Sequence, residues 1–180
     1  MIEDFCPTRE IPTLEGYHPE IGRTVWMLQA ARWRLMECLA GLDTAVLDWQ
    51  PPYGGNSIGT LLYHIAAIEA DWLYTEVLQM PFAPEIDDLL SFNVRDKDGR
   101  LTVVTGLTLA EHQHRLAVCR AHLLTAYREM SLDDFRRLRH FDQYDISPEW
   151  VLHHLIQHET EHRGQIMEVC LQLTGTRIGD

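Results

Sequence analysis

The sequence predicts an all-α protein, a four-helix bundle with long connections after its second and third helices. Three observations predict it. Four segments of roughly twenty residues repeat their apolar positions with a period near 3.6. No segment of comparable length alternates with period two. Each of the four is also bracketed by residues that start or stop helices.

The first helix is predicted over residues 19–39. Pro19 suits a first helical position, Ile21, Val25, Leu28, Leu35 and Leu39 form an apolar stripe, and Gly41 stops it. The Pro51-Pro52-Tyr53-Gly54-Gly55 run is a turn that cannot continue a helix. Ser57 is the expected N-cap of the second helix, residues 58–79, which Pro81 closes; Leu61, His64, Ile65, Ile68 and Trp72 are placed on its buried face. Residues 82–106 are mixed and poor in pattern, with a solvated loop at 94–99 and a short extended piece at 101–104. A connection this long inside a domain suits a substrate cover. Thr108 and Glu111 form a capping-box signature for the third helix, ending near Met130. A helical turn follows at 132–137. Ser147-Pro148-Glu149 starts the fourth helix, which runs to residue 173, and Gly175 stands where a C-terminal cap glycine belongs. No repeat or low-complexity segment interrupts the chain, so residues 1–180 read as one domain.

Composition narrows the function. With 180 residues, 46 % hydrophobic and 23 % charged, the chain is long enough to bury a core. The absence of a long apolar run or a basic leader predicts a soluble, cytoplasmic protein without a membrane partner. Fifteen Lys and Arg against 27 Asp and Glu give a net charge of −12, which argues against a nucleic-acid partner. Cys6, Cys38, Cys119 and Cys170 are widely spaced and include no CxxC. They fit neither a thiolate zinc knuckle nor a disulfide framework, and the last three read as small core residues. The five tryptophans also read mostly as core, with Trp150 at a site entrance.

Ten histidines are the unusual feature. His154, His158 and His162 are four residues apart and climb one face of the fourth helix, with Cβ atoms of neighbours roughly 5–6 Å apart. About half of such a pair is expected by chance in a chain this rich in His, whereas three in consecutive register are expected only in roughly a few hundredths of such chains. Either neighbouring pair, 154/158 or 158/162, could grip one metal ion, and a third ligand is then needed. His64 is the candidate, because an unpaired imidazole in its apolar setting would cost about 1–3 kcal/mol. Three neutral imidazoles with open positions suit Zn or Ni. Asp71, Glu159 and Glu161 are the candidate acceptors for the remaining ring nitrogens.

His158-Glu159-Thr160-Glu161-His162 also matches the H-E-x-x-H helix of zinc peptidases. The context does not support that reading. Gln165 and Glu168 stand where the extended motif requires Gly and His, and no strand is available to align a peptide. Within the same helix, Gly164 predicts close approach by another helix. Arg163 is expected to pair with a carboxylate, and Gln165 to make a packing contact in preference to ordering the site.

Two stretches resemble the DinB/YfiT-like family of metal-binding four-helix bundles. One is the serine-capped run from Gly55 to Ile65, ending in His64-Ile65 and followed by Glu69 and Trp72. The other is the histidine ladder His154, His158, His162 ending in His162-Arg163-Gly164-Gln165. In helix order the likeness extends from residue 19 to 174. The resemblance implies a metal triad of His64, His158 and His162, with His154 facing the same cavity or packing in the core. Glu161 departs from the family pattern, in which an aromatic residue or histidine commonly precedes the last ligand. The resemblance further implies a metal-dependent transferase, isomerase or hydrolase in which a divalent ion activates a small thiol or water against a small-molecule electrophile. No cysteine lies in the histidine motif, so the sulfur would come from a cosubstrate. The other class it allows is a non-catalytic bundle, tied together by its metal and acting as a binding module. Homodimerisation is expected of either.

Overall fold

The computed structural model describes residues 10–175 and has the expected helical architecture. The four long elements are α1 (Pro19–Leu39), α3 (Ile58–Asp71), α5 (Leu109–Glu129) and α7 (Pro148–Thr174). Each begins with a side-chain cap. The Ser57 hydroxyl accepts from Thr60 N at 3.2 Å, Thr108 and Glu111 form the full capping box, and Ser147 accepts from Trp150 N at 3.2 Å. The cap of α1 is His18, whose ring accepts from Glu20 N. Gly175, with φ +70°, terminates α7 in the left-handed conformation that only glycine adopts without strain.

Short elements fill the connections. Asp43 caps α2 (Thr44–Asp48), and α4 (Pro84–Leu89) begins on a proline. Ser131 caps α6 (Leu132–Arg136). Arg139–His140 and Asp145–Ile146 then pair as antiparallel strands β1 and β2, with Arg139 opposite Ile146. Residues 101–104 form no strand; Leu101 makes a single antiparallel bridge to Arg95.

The predicted second helix is two pieces. Beyond Asp71 the backbone widens into a π-helical run, Trp72–Leu78, ended by Gln79 at φ +53°. Such turns trade α-helical bonding for a changed side-chain direction and recur at functional sites. Trp72 stands at the head of the run, and its ring lies 5.5 Å from that of Trp150 on α7.

The core has α3 at its centre. Ten consecutive residues, Ile58 to Ala67, are buried, so the helix is covered on every side. It packs along α5 and also meets α7, while α1 runs along α7. At the middle of the bundle each long helix contributes one charged residue: Arg32, Glu69, Arg120 and Glu159. Arg120 Nη2 lies 2.7 Å from both Glu69 Oε2 and Glu159 Oε2, and Arg32 Nη2 lies 3.0 Å from Glu69 Oε2. Arg32 also pairs with Glu159. Remaining donors reach Leu116 O from Arg32 and the side chain of Gln29 from Arg120. Burial pushes the Glu69 carboxyl up, but the flanking Arg120 and Arg32 outweigh it and hold it below the usual carboxylate range.

Cys38, Cys119 and Cys170 are buried free thiols, as expected of core residues; Cys6 lies outside the described residues. No helix among the described residues is long and apolar enough to cross a membrane.

Candidate metal centre

Three imidazoles converge where α3 meets α7. His64 is buried in the middle of α3, whose flanking apolar residues anchor it in the core. His158 and His162, one turn apart on α7, reach toward it. His158 Nε2 lies 3.1 Å from His64 Nε2 and 3.0 Å from His162 Nε2. The spacing left 154/158 open as the gripping pair, but it is His158 and His162 that join His64.

Protons alone do not satisfy this arrangement. A ring nitrogen carries either one hydrogen or one lone pair, so His158 Nε2 can make one of its two close contacts as a hydrogen bond and not both. Protonating the rings is no remedy. Burial, then the positive potential of His162 and Arg95, pushes His64 down to about 4. Burial and the three neighbouring histidines push His158 down to about 3. His162 is also lowered by burial, against the opposing pull of Gln165 and Glu161. The rings are therefore neutral near pH 7, the protonation state in which imidazole is a ligand.

The donor set fits a divalent cation. Metal–nitrogen distances of about 2.0–2.1 Å place tetrahedral ligands about 3.3 Å apart, and ligands on one octahedral face about 3.0 Å apart. Either geometry matches the His64–His158 and His158–His162 separations, and three ligands leave further positions free.

That cavity, of about 410 Å³, lies over the three histidines and is walled by Ile68, Trp72, Arg95, Leu101 and His154. Arg95 and Leu101 belong to the long 82–106 connection, which therefore reaches the site as its sequence suggested. His154 faces the same cavity. Its ring lies 4.3 Å from that of Trp72, stacks on Trp150 at 5.2 Å with planes 9° apart, and lies 5.9 Å from His158.

The surroundings of the triad correct several expectations. Gln165 orders the site: its Oε1 lies 3.0 Å from His162 Nδ1 and accepts from it when the Nε2 serves as a ligand. Glu159, about 100° around α7 from His158, points into the four-charge cluster, where it pairs with Arg32 and Arg120 instead of a ring of the triad. Asp71 accepts from the Thr75 hydroxyl instead. Glu161 is exposed and acts on His154 and His162 only through its field. His64 Nδ1 is buried with no partner among the described residues. Gly164 is approached by no helix of the described residues, since a Cβ there would meet none of their atoms within 4 Å, and Arg163 stands beside the Cys38 thiol, with no carboxylate partner among the ion pairs of the described residues.

Comparison with known proteins agrees with this architecture. The sequence pattern of the DinB superfamily matches residues 27–166. The crystal structure of a conserved protein from Enterococcus faecalis superposes with a TM-score of 0.70 at 14 % identity. The match covers 85 % of this chain and 96 % of that one. No curated protein matches the sequence.

Proposed function

The chain belongs to the DinB superfamily, and on that premise we propose that it is a divalent-metal enzyme acting on a small molecule, with His64, His158 and His162 as the ligands and Zn or Ni as the ion. The observation that carries the reading is the convergence of three neutral Nε2 atoms, 3.0–3.1 Å apart along the chain of contacts, beneath an open cavity. When bound, the ion would lower the pKa of a thiol or water ligand, supplying a nucleophile near neutral pH.

The protein's own residues do the rest. Gln165 fixes the His162 ring by holding its Nδ1 proton, so that Nε2 presents its lone pair to the cavity. Ile68, Trp72 and Leu101 give the open cavity an apolar side against which a hydrocarbon part of the substrate can pack. Arg95 supplies local positive charge in a protein of net charge −12, and so offers an anionic group of the substrate a partner. The sulfur of a thiol reaction comes from a cosubstrate, since among the described residues Cys38, Cys119 and Cys170 are all buried and none lines the cavity, and burial pushes the Cys119 thiol up to about 12.

Elemental analysis of protein purified without chelator or metal-affinity column tests the reading. About one ion per chain is expected, lost in His64→Ala and retained in His153→Ala, whose side chain is exposed. Absence of metal from the wild-type protein after incubation with Zn²⁺ and Ni²⁺ would refute it.

A further inference from the structure

A second cavity, of about 470 Å³, opens beside the metal centre. Trp72, Leu138, Tyr144, Ile146 and Trp150 line it, and its volume lies in the range of small-molecule sites, about 300–1,000 Å³. Three of these side chains, Leu138, Tyr144 and Trp150, are large, apolar and roughly half exposed. Exposed apolar residues scattered singly need no explanation, but three gathered around one concavity do.

The walls are held in place. Trp72, at the head of the π-helical run, is held by ring contacts with Trp150 at 5.5 Å and His154 at 4.3 Å. Tyr144, in the turn between β1 and β2, donates its hydroxyl to Glu76 Oε1 at 2.6 Å, which ties that hairpin to the same π-helical run. Trp150 lies flat on His154. The two cavities also share a wall: Trp72 borders both. From Trp72, ring-to-ring steps of 4.3 Å to His154 and 5.9 Å to His158 lead to the triad.

From this adjacency, with Trp72 as the shared wall, we infer that the second cavity is the subsite for an apolar, aromatic-sized group of the substrate whose reacting end lies at the three histidines. The inference rests on the metal-enzyme reading and adds to it the class of molecule: one bearing a ring or branched hydrocarbon a few bonds from its reactive atom. Stacking surfaces at Trp72 and Trp150 favour a planar group.

The test uses two thiols that differ only at the far end, 4-phenylbutane-1-thiol and butane-1-thiol, titrated into cobalt-loaded protein and followed by the visible spectrum. Burying the phenyl ring should make the first bind tenfold or more tighter. Trp150→Ala, at a surface position in the first turn of α7, should erase that preference while leaving the affinity for butane-1-thiol unchanged. Equal affinities in the wild-type protein, or a preference that survives Trp150→Ala, overturn the inference. If neither thiol perturbs the spectrum, thiol chemistry at the metal fails, and the subsite is judged alone by titrating 2-naphthol into metal-free protein. Shifts of the Trp72 and Trp150 indole NMR signals, lost for Trp72 in Trp150→Ala, uphold it; unmoved signals overturn it. Sedimentation tests the remaining occupant, since a dimer that Trp150→Ala converts to monomer would make this face a contact between copies and overturn the inference.

Discussion

Replacing Arg120 with Met tests what holds the two ligand-bearing helices together. Arg120 is buried and binds both Glu69 and Glu159, its Nε and Nη2 gripping Glu69 at 2.9 and 2.7 Å. Methionine of similar length keeps the packing but leaves two buried carboxylates sharing Arg32 alone. Removing one partner of a buried ion pair costs about 3–5 kcal/mol. For a chain of this size that corresponds to a fall in Tm of about 6–20 °C. Urea and thermal unfolding of the metal-free protein measure it. The double variant Glu69→Gln/Arg120→Met should recover about 1 kcal/mol or more relative to the sum of the single effects, because a neutral amide in place of the Glu69 carboxylate strands no charge. The same Arg120→Met protein should also bind metal more weakly. A Tm loss under 3 °C, or strict additivity in the double variant, would refute the reasoning.

Three further outcomes are expected. His112 is buried with neither ring nitrogen hydrogen-bonded among the described residues, and burial together with Arg115 pushes it down to about 4. Its folded-state pKa lies below the unfolded value of about 6.5, so its contribution is intact above pH 6.5 and is lost as pH falls toward 4, by about 3 kcal/mol at most. His112→Leu should therefore flatten the decline of the urea midpoint between pH 7 and 4.5, and an unchanged slope would count against it. Gln165→Leu removes the acceptor from His162 Nδ1 and should weaken metal affinity about 10- to 100-fold in chelator competition, with Tm of the metal-free protein unchanged. Gly164→Ala, in mid-helix with open space around it, should stabilise by about 0.5–1 kcal/mol; destabilisation would show that something packs there.

The fold was legible because its signals are local. Ser57, Thr108-Glu111 and Ser147-Pro148 mark helix starts by chemistry that involves only the next three residues, and all three caps form. The short helices α2 and α4 also carry start signals, Asp43 and Pro84, but five or six residues are too few for a period to emerge behind them. The π-helical run is hidden for a different reason: it is a change in hydrogen-bond partner that leaves the apolar pattern of the helix intact. At the site, spacing suggests a ladder on α7 and burial context suggests His64, but choosing 158/162 requires the family resemblance. The errors concern partners across space. Glu159 adjoins His158 in sequence, which makes it look like a helper, yet successive helical residues point about 100° apart. Its true partners, Arg32 and Arg120, stand 127 and 39 residues away, with nothing in the sequence to mark them as buried. Gln165 is the converse case. It lies one turn from His162, where an i,i+3 contact was available to be read.

The buried charges and the metal ligands belong to one design problem. On α3, His64 is followed five residues later by Glu69; on α7, Glu159 sits between His158 and His162. Each helix thus presents imidazole on one side and a carboxylate on another. Side-chain tips lie about 5–6 Å from a helix axis, so a rotation of roughly 20° carries a ligand atom through about 2 Å. A ligand set must be held within about 0.5 Å to be productive. Apolar packing tolerates more slippage than that, since one hydrophobic surface resembles its neighbour. A two-nitrogen guanidinium fork on a carboxylate does not, because its hydrogen bonds fail over the same distance. Arg120 grips Glu69 with Nε and Nη2 and reaches Glu159 from the same Nη2. That geometry fixes the rotation of α3 and α7 together, and with it the meeting point of His64, His158 and His162. Burying four charges carries a desolvation cost that apolar side chains of the same volume would avoid, but it gives the bundle the rotational register that three converging nitrogens require.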